Sequence, residues 1–253
     1  MEDRDLVIPD GALAREYDMT TARTIAAALL LLAAASLGAQ SATAAGRELT
    51  IEEQYLQKSI AMQIMRAQAF ASDEDTKTAV LDDIAGKLSK GSLGGDRDDI
   101  ENILEYLAME GSSRVVREGL RQVNNFPMMR KQAAELLGKI RTEQAKNALI
   151  AVLLNDEEYM VKAQAAYSLG ELGMNEKNEV AEALAFAVSR EDLTRSDNNW
   201  AYAMLLAFEK LNRNAPGGLK YPEAFRAVIK ISQGSFLATV RQKALLVLED
   251  MKK

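Results

Sequence analysis

The chain has 253 residues, a net charge of −6, and neither cysteine nor histidine. That composition excludes disulfide frameworks, thiol nucleophiles and imidazole chemistry, and with them zinc sites of the usual kind. Hydrophobic residues make up 48% and charged residues 27%, with 4 prolines in a background rich in Ala, Leu, Glu and Lys, which is the balance of a helical chain with a sizeable core.

Residues 1–18 are polar, acidic and without periodicity. Met19 and Arg23 then precede the apolar run Ile25 to Leu37, which falls short of the about 20 residues a bilayer span needs. A short basic region, an apolar region and the small residues Ala42-Thr43-Ala44 read as a signal peptide over 19–44, cleaved after Ala44 or after Ala39. Translation is then expected to start at Met19, with 1–18 a non-native leader. Residues 45–253 form the expected exported chain, periplasmic or secreted, which meets a membrane only through its signal peptide. Beyond residue 44 there are 28 basic and 31 acidic side chains, not the strong basic footprint of a nucleic-acid binder.

From Thr50 onward the pattern is helical. Thr50 with Glu53 makes a capping box opening a helix to about 71, with Leu56, Ile60, Ile64 (with Met65) and Ala67 as its apolar face. Ser72-Asp73 caps the next helix, and Lys90 to Gly95 is a flexible connection. A helix over 97–110 buries Ile100, Ile103, Leu104 and Leu107; Gly111 stops it, and Ser112 or Ser113 caps another over 112–124. Pro127 opens the following helix, Thr142 caps its partner, and Asn155 with Glu158 makes a second capping box. Gly173 closes that third element, Ser196 caps the helix carrying Trp200, and Pro222 opens the last pair's second helix. No segment alternates with period two for long enough to be a strand. The count is eleven helices. Five antiparallel pairs (50–71 with 73–88, 97–110 with 112–124, 127–140 with 142–154, 156–172 with 176–189, 196–213 with 221–233) precede an unpaired terminal helix.

Three of these segments are copies of one another. Asn125 to Ile140, Asp156 to Gly173 and Ser235 to Met251 align when Met129-Arg130, Val161-Lys162 and Val240-Arg241 coincide. Ala133, Ala165 and Ala244 then fall together, as do Leu137, Leu169 and Leu248. A weaker copy runs through Trp200, Met204, Phe208 and Leu211. Self-similarity at a period of about 30–40 residues marks a helical repeat array. Ala133-Ala134, Ala165-Ala166, Gly138 and Gly170 supply small positions where another helix comes close. Mid-helix Gly costs about 1 kcal/mol relative to Ala, so close packing or a cap must offset it.

The pattern of Val-Arg, paired Ala and Leu-Gly followed by a second apolar helix resembles the HEAT repeat family in its short bacterial form, well over 125–252 and loosely over 50–124. Asn199-Trp200-Ala201 departs by lacking the basic residue, and Glu209 and Glu249 stand in place of the Gly. The resemblance implies an all-α, right-handed superhelical α-solenoid and a non-enzymatic scaffold whose partner is a protein or peptide, with no cofactor. A minority of the family resembles phycobilin lyases or a di-iron hydroxylase. The hydroxylase needs His-Glu motifs that a chain without histidine cannot supply. A lyase-like or accessory subunit binding a small ligand is the alternative, and oligomerisation through the terminal helices is a third possibility.

Arg114, Arg117 and Arg121 at i, i+3 and i+7 would share one face of the 112–124 helix, with Arg130 and Lys131 just beyond the turn. The resemblance places that face on the concave side, where a basic strip suits an acidic peptide or a phosphorylated or carboxylated ligand. The plain alternative is a solvated face balanced by Glu118. The acids Asp96, Asp98, Asp99 and Glu101 lack the spacing of a calcium loop and suit a helix start. Trp200 is expected in the core.

Overall fold

The computed structural model describes residues 51–194 and 197–252. Among them are ten α-helices: α1 Ile51–Ala69, α2 Glu74–Ser89, α3 Arg97–Met109, α4 Pro127–Leu137, α5 Glu143–Asn155, α6 Tyr159–Leu172, α7 Glu179–Arg190, α8 Asn198–Asn214, α9 Pro222–Gln233 and α10 Ala238–Asp250. A two-stranded ribbon, β1 Arg117–Glu118 and β2 Arg121–Gln122, lies between α3 and α4. Residues 1–50, with the expected leader and signal peptide, and Thr50 of the first capping box fall outside the described residues.

Local chemistry sets most helix ends. The Asp73 carboxylate caps α2 by accepting from the Thr76 N–H, and the Thr142 hydroxyl caps α5 by accepting from the Ala145 N–H. Pro127 and Pro222 occupy first turns. Gly173 closes α6 in the left-handed region at φ 64°. Two capping expectations fail. Asp156, rather than a capping box of Asn155 and Glu158, holds the entry to α6, its Oδ1 accepting from the Glu158 N–H. Asp197 caps α8 through the Trp200 N–H, whereas Ser196 lies outside the described residues.

The compact unit Leu56–Lys253 stacks as an α-solenoid. Helices α2, α4, α6, α8 and α10 pack on one another as one layer, and α3, α5, α7 and α9 as the other. The repeat residues make the core between them: Met129, Val161, Trp200 and Val240, with Ala133, Ala165 and Ala244, are all buried. Small residues fix the spacing within the first layer. A Cβ on Gly138 would stand 2.7 Å from the Ser168 side chain in α6, and one on Gly170 would stand 2.8 Å from the Ala207 Cα in α8. Close helix approach therefore explains both glycines, and Gly138 also caps α4.

The expected helix over 112–124 does not form; the ribbon stands in its place. That removes one helix from the expected eleven and shifts the phase of the N-terminal pairs. The first pair is α2 with α3, not 50–71 with 73–88, and α1 stands before it. The expected inner face of α1 holds only at Met65. Met62, Met65 and Ala69 are buried, whereas Leu56, Ile60 and Ile64 face solvent.

Candidate interaction surface

Three ion pairs, the first two buried and the third half-buried, recur at one place in three successive helix pairs. In each, a basic residue of the first helix reaches the acidic residue that caps the C-terminus of the second. Lys77 of α2 meets Glu110 after α3, Arg130 of α4 meets Asp156 after α5, and Lys162 of α6 meets Glu191 after α7. The middle rung is the most complete. Arg130 Nε donates to Asp156 Oδ2 at 2.7 Å and Nη2 to Oδ1 at 3.2 Å, with both side chains fully enclosed. In the third rung, burial works to raise the Glu191 carboxyl, but the Tyr159 hydroxyl and the Lys162 ammonium outweigh it and hold it below the usual carboxylate range. Lys162 also lies 5.6 Å from the ring centre of Trp200, which is buried in the core as expected.

Arg130 is therefore not presented to a partner, contrary to the expectation for it. It is enclosed, and its role is to fix the base of the ribbon. Its Nη1 donates to the Glu110 carbonyl at 3.2 Å and to Asn125 Oδ1 at 2.8 Å, the two ends of the loop. Lys131 is half-buried on α4.

Between those ends the ribbon is held by its own polar groups. Asn124 Nδ2 donates to the Arg114 carbonyl at 2.6 Å and its Oδ1 accepts from the Val116 N–H at 2.8 Å. Gln122 Nε2 donates to the Gly111 carbonyl at 2.5 Å. Gly111 at φ 79° is obligatory, since a Cβ there would lie 2.1 Å from the Asn124 carbonyl oxygen. Arg117 faces Gln122 and Glu118 faces Arg121 across the strands. The loop is Gly119-Leu120, with Gly119 at φ 62° and no positive φ at Leu120, the pattern of a type II′ hairpin.

This hairpin carries Arg114, Arg117 and Arg121, though on a ribbon rather than a helix face: Arg117 shares one side with Gln122 and Arg121 the opposite side with Glu118, while Arg114 lies at the ribbon's base. All three are exposed, with Val115, Val116 and a fully exposed Leu120 among them. Arg114 stands 5.1 Å from the Tyr106 ring centre, and Tyr106 packs edge-on against Phe70 at 4.3 Å. Burial, then the Glu110 carboxylate, raise the Tyr106 phenol above its ordinary value against the pull of Arg114. The surface is an apolar tip with Arg117 on one side of the ribbon and Arg121 beside Glu118 on the other, in a chain that is acidic overall.

The signal for the ribbon was in the sequence. Val115-Val116 and Val123 flank a Gly-X pair, a two-residue hairpin pattern with β-branched neighbours. Helical spacing of the arginines concealed it, although Gly119 inside a helix would have cost about 1 kcal/mol. The acids at 96–101 serve local contacts: Asp99 pairs with Arg66 and Glu101 accepts from the Thr142 hydroxyl. Among the described residues no cluster of acids is arranged to hold a metal ion. A surface cleft of about 370 Å³ opens between α7 and α9, bordered by Phe186, Tyr221, Arg226 and Lys230.

A search of curated proteins finds no match to the chain. Residues 113–202 match the family model described as HEAT repeats, and the stacked helical layers continue on either side of that segment.

Proposed function

We propose that this chain is a non-catalytic scaffold, exported by a bacterium, that grips an acidic surface of a protein partner with its 110–125 hairpin. HEAT repeats commonly serve as protein-interaction scaffolds. The observation that carries the reading for this chain is the hairpin itself. It departs from the repeat, is anchored by Arg130 and Asn124, and exposes Leu120 with an arginine on each side of the ribbon and a third at its base. Exposed arginine beside an apolar anchor is the composition of a binding hot spot, and arginine pairs bidentately with carboxylates.

The test is a photo-crosslinking residue at position 120, irradiated in living cells. One discrete protein adduct is expected, and it disappears when Arg114, Arg117 and Arg121 are changed to Glu together. An adduct indifferent to those charges, or none, refutes the proposal. The export half rests on the 19–44 segment. Fractionation places the chain outside the cytoplasm if it holds, and N-terminal sequencing then begins at Gln40 or Ala45. A mature chain retaining Glu2 to Asp18 refutes it.

The small-ligand alternative draws support from the cleft at Phe186 and Tyr221. Saturable small-molecule binding that Phe186→Ala abolishes, while the position-120 adduct never forms, would favour it.

A further inference from the structure

The two terminal helices of the described array carry apolar rows that the repeat architecture does not use. On α1, Leu56, Ile60 and Ile64 lie within about 80° of one another around the axis, and all are exposed. The opposite face, Met62, Met65 and Ala69, is the one packed inward. A helix apolar on both faces is built to be covered on both.

At the other end, α10 turns Val240, Ala244 and Val247 inward and leaves Leu245 and Leu246 exposed. The repeat alignment gives that face a meaning. Leu245 stands at the place of Ala134 and Ala166, which are fully buried under the next helix of the same layer. The contact there is intimate: the Ser168 hydroxyl of α6 donates to the Ala134 carbonyl at 2.9 Å. So α10 offers the face on which the layer continues, with leucine in place of alanine. Solenoids ordinarily close their ends with polar outer faces.

The alternation of helices points to the occupant. Among the described residues α1 precedes the first pair without a partner of its own, and α10 follows the last pair in the same condition. Stacking one copy's α10 on another copy's α1 gives each unpaired helix a neighbour and covers both leucine and isoleucine rows. We infer that the chain self-associates head to tail, the outward face of α10 receiving the outward face of α1 from a second copy. Such an interface is heterologous, so it leaves a free end of each kind and extends into chains or closes into a ring. It lies at the ends of the stack, apart from the hairpin.

Complementary blocked ends test this. Ile60→Glu with Ile64→Glu disables the first end, and Leu245→Glu with Leu246→Glu the second. The four residues are exposed, so circular dichroism should show unchanged helix content in each variant. Light scattering of the full chain over a dilution series should give masses beyond a dimer, and each variant alone should be a monomer. An equimolar mixture of the two variants should form a dimer and nothing larger, because one intact end of each kind remains. A monomeric parent chain overturns the inference. So does a variant that still dimerises alone, which would signify like-to-like contact, or a mixture that stays monomeric. Loss of the position-120 adduct with assembly intact would instead count against the hairpin reading alone.

Discussion

Changing Arg130 to Ala should destabilise the fold more than any surface charge change in this chain. The structure shows why. The guanidinium makes four hydrogen bonds of 2.7–3.2 Å, two of them to Asp156, with neither side chain reaching solvent. Removing one member of a buried pair leaves the other uncompensated, at about 3–5 kcal/mol, which for a domain of this size lowers the thermal midpoint by about 6–20 °C. The Glu110 carbonyl loses a donor in addition. Changing both partners together, Arg130→Met with Asp156→Leu, removes both charges and should recover most of the loss. Recovery stays incomplete by about 1 kcal/mol, because Asp156 also accepts from the Glu158 N–H as a cap would. Urea titration followed by circular dichroism, on the two single variants and the double variant, gives the coupling energy directly. Single losses under about 1 kcal/mol, or losses that simply add, would refute the buried-rung argument.

Glycine substitutions should separate by what lies around them. Gly170→Ala drives a Cβ into the Ala207 backbone and should cost about 1–3 kcal/mol despite the better helix propensity, whereas Gly86→Ala meets open space within α2 and should gain up to about 1 kcal/mol; equal shifts of the urea midpoint would contradict the close-packing account. Gly111→Ala should collapse the hairpin base and speed tryptic cleavage at Arg117 and Arg121, with unchanged cleavage rates counting against it. For Glu191, whose folded carboxyl is held below its usual range, the rung contributes stability that is fully present above about pH 4.3 and is lost as pH falls through the lower folded value. The stability difference between the parent chain and Glu191→Gln should therefore shrink on acidification, and a difference independent of pH would show that the rung is not ionic.

Most of the array was legible because its signals are local or periodic. Gly173, Asp73, Thr142 and the two prolines act on backbone within three residues of themselves, and the Val, Ala and Leu positions recur wherever a helix must meet two neighbours. The misreadings have a common cause. Arginines at 114, 117 and 121 fit helical spacing, yet charge spacing says nothing of backbone preference, and the Gly119 and valine pattern carried the information. The apolar row Leu56, Ile60 and Ile64 of α1 reads as inward because apolar rows usually are; only the packed array reveals that the helix turns in Met62 and Ala69, with Met65 the one expected residue among them. Arg130 looked like part of a basic strip. Its burial depends on Asp156, 26 residues away, a pairing that a linear reading does not contain.

The rungs have a mechanical consequence. Each joins the two helices of one pair, so it strengthens that unit, whereas contacts such as Glu171 with Lys210 and Glu209 with Lys243 tie one unit to the next. The rungs stop at Glu191: Ala201 stands where Lys162 would, and Gly234 caps α9 where the earlier pairs have an acid. In a linear array the weakest unit opens first and its neighbours follow. The α8–α10 end is thus the soft end of a graded spring, held mainly by apolar packing around Trp200 and by its ties to α6. Stretching or heating should unzip the molecule from that end toward the hairpin, leaving the charged N-terminal units as the last to part.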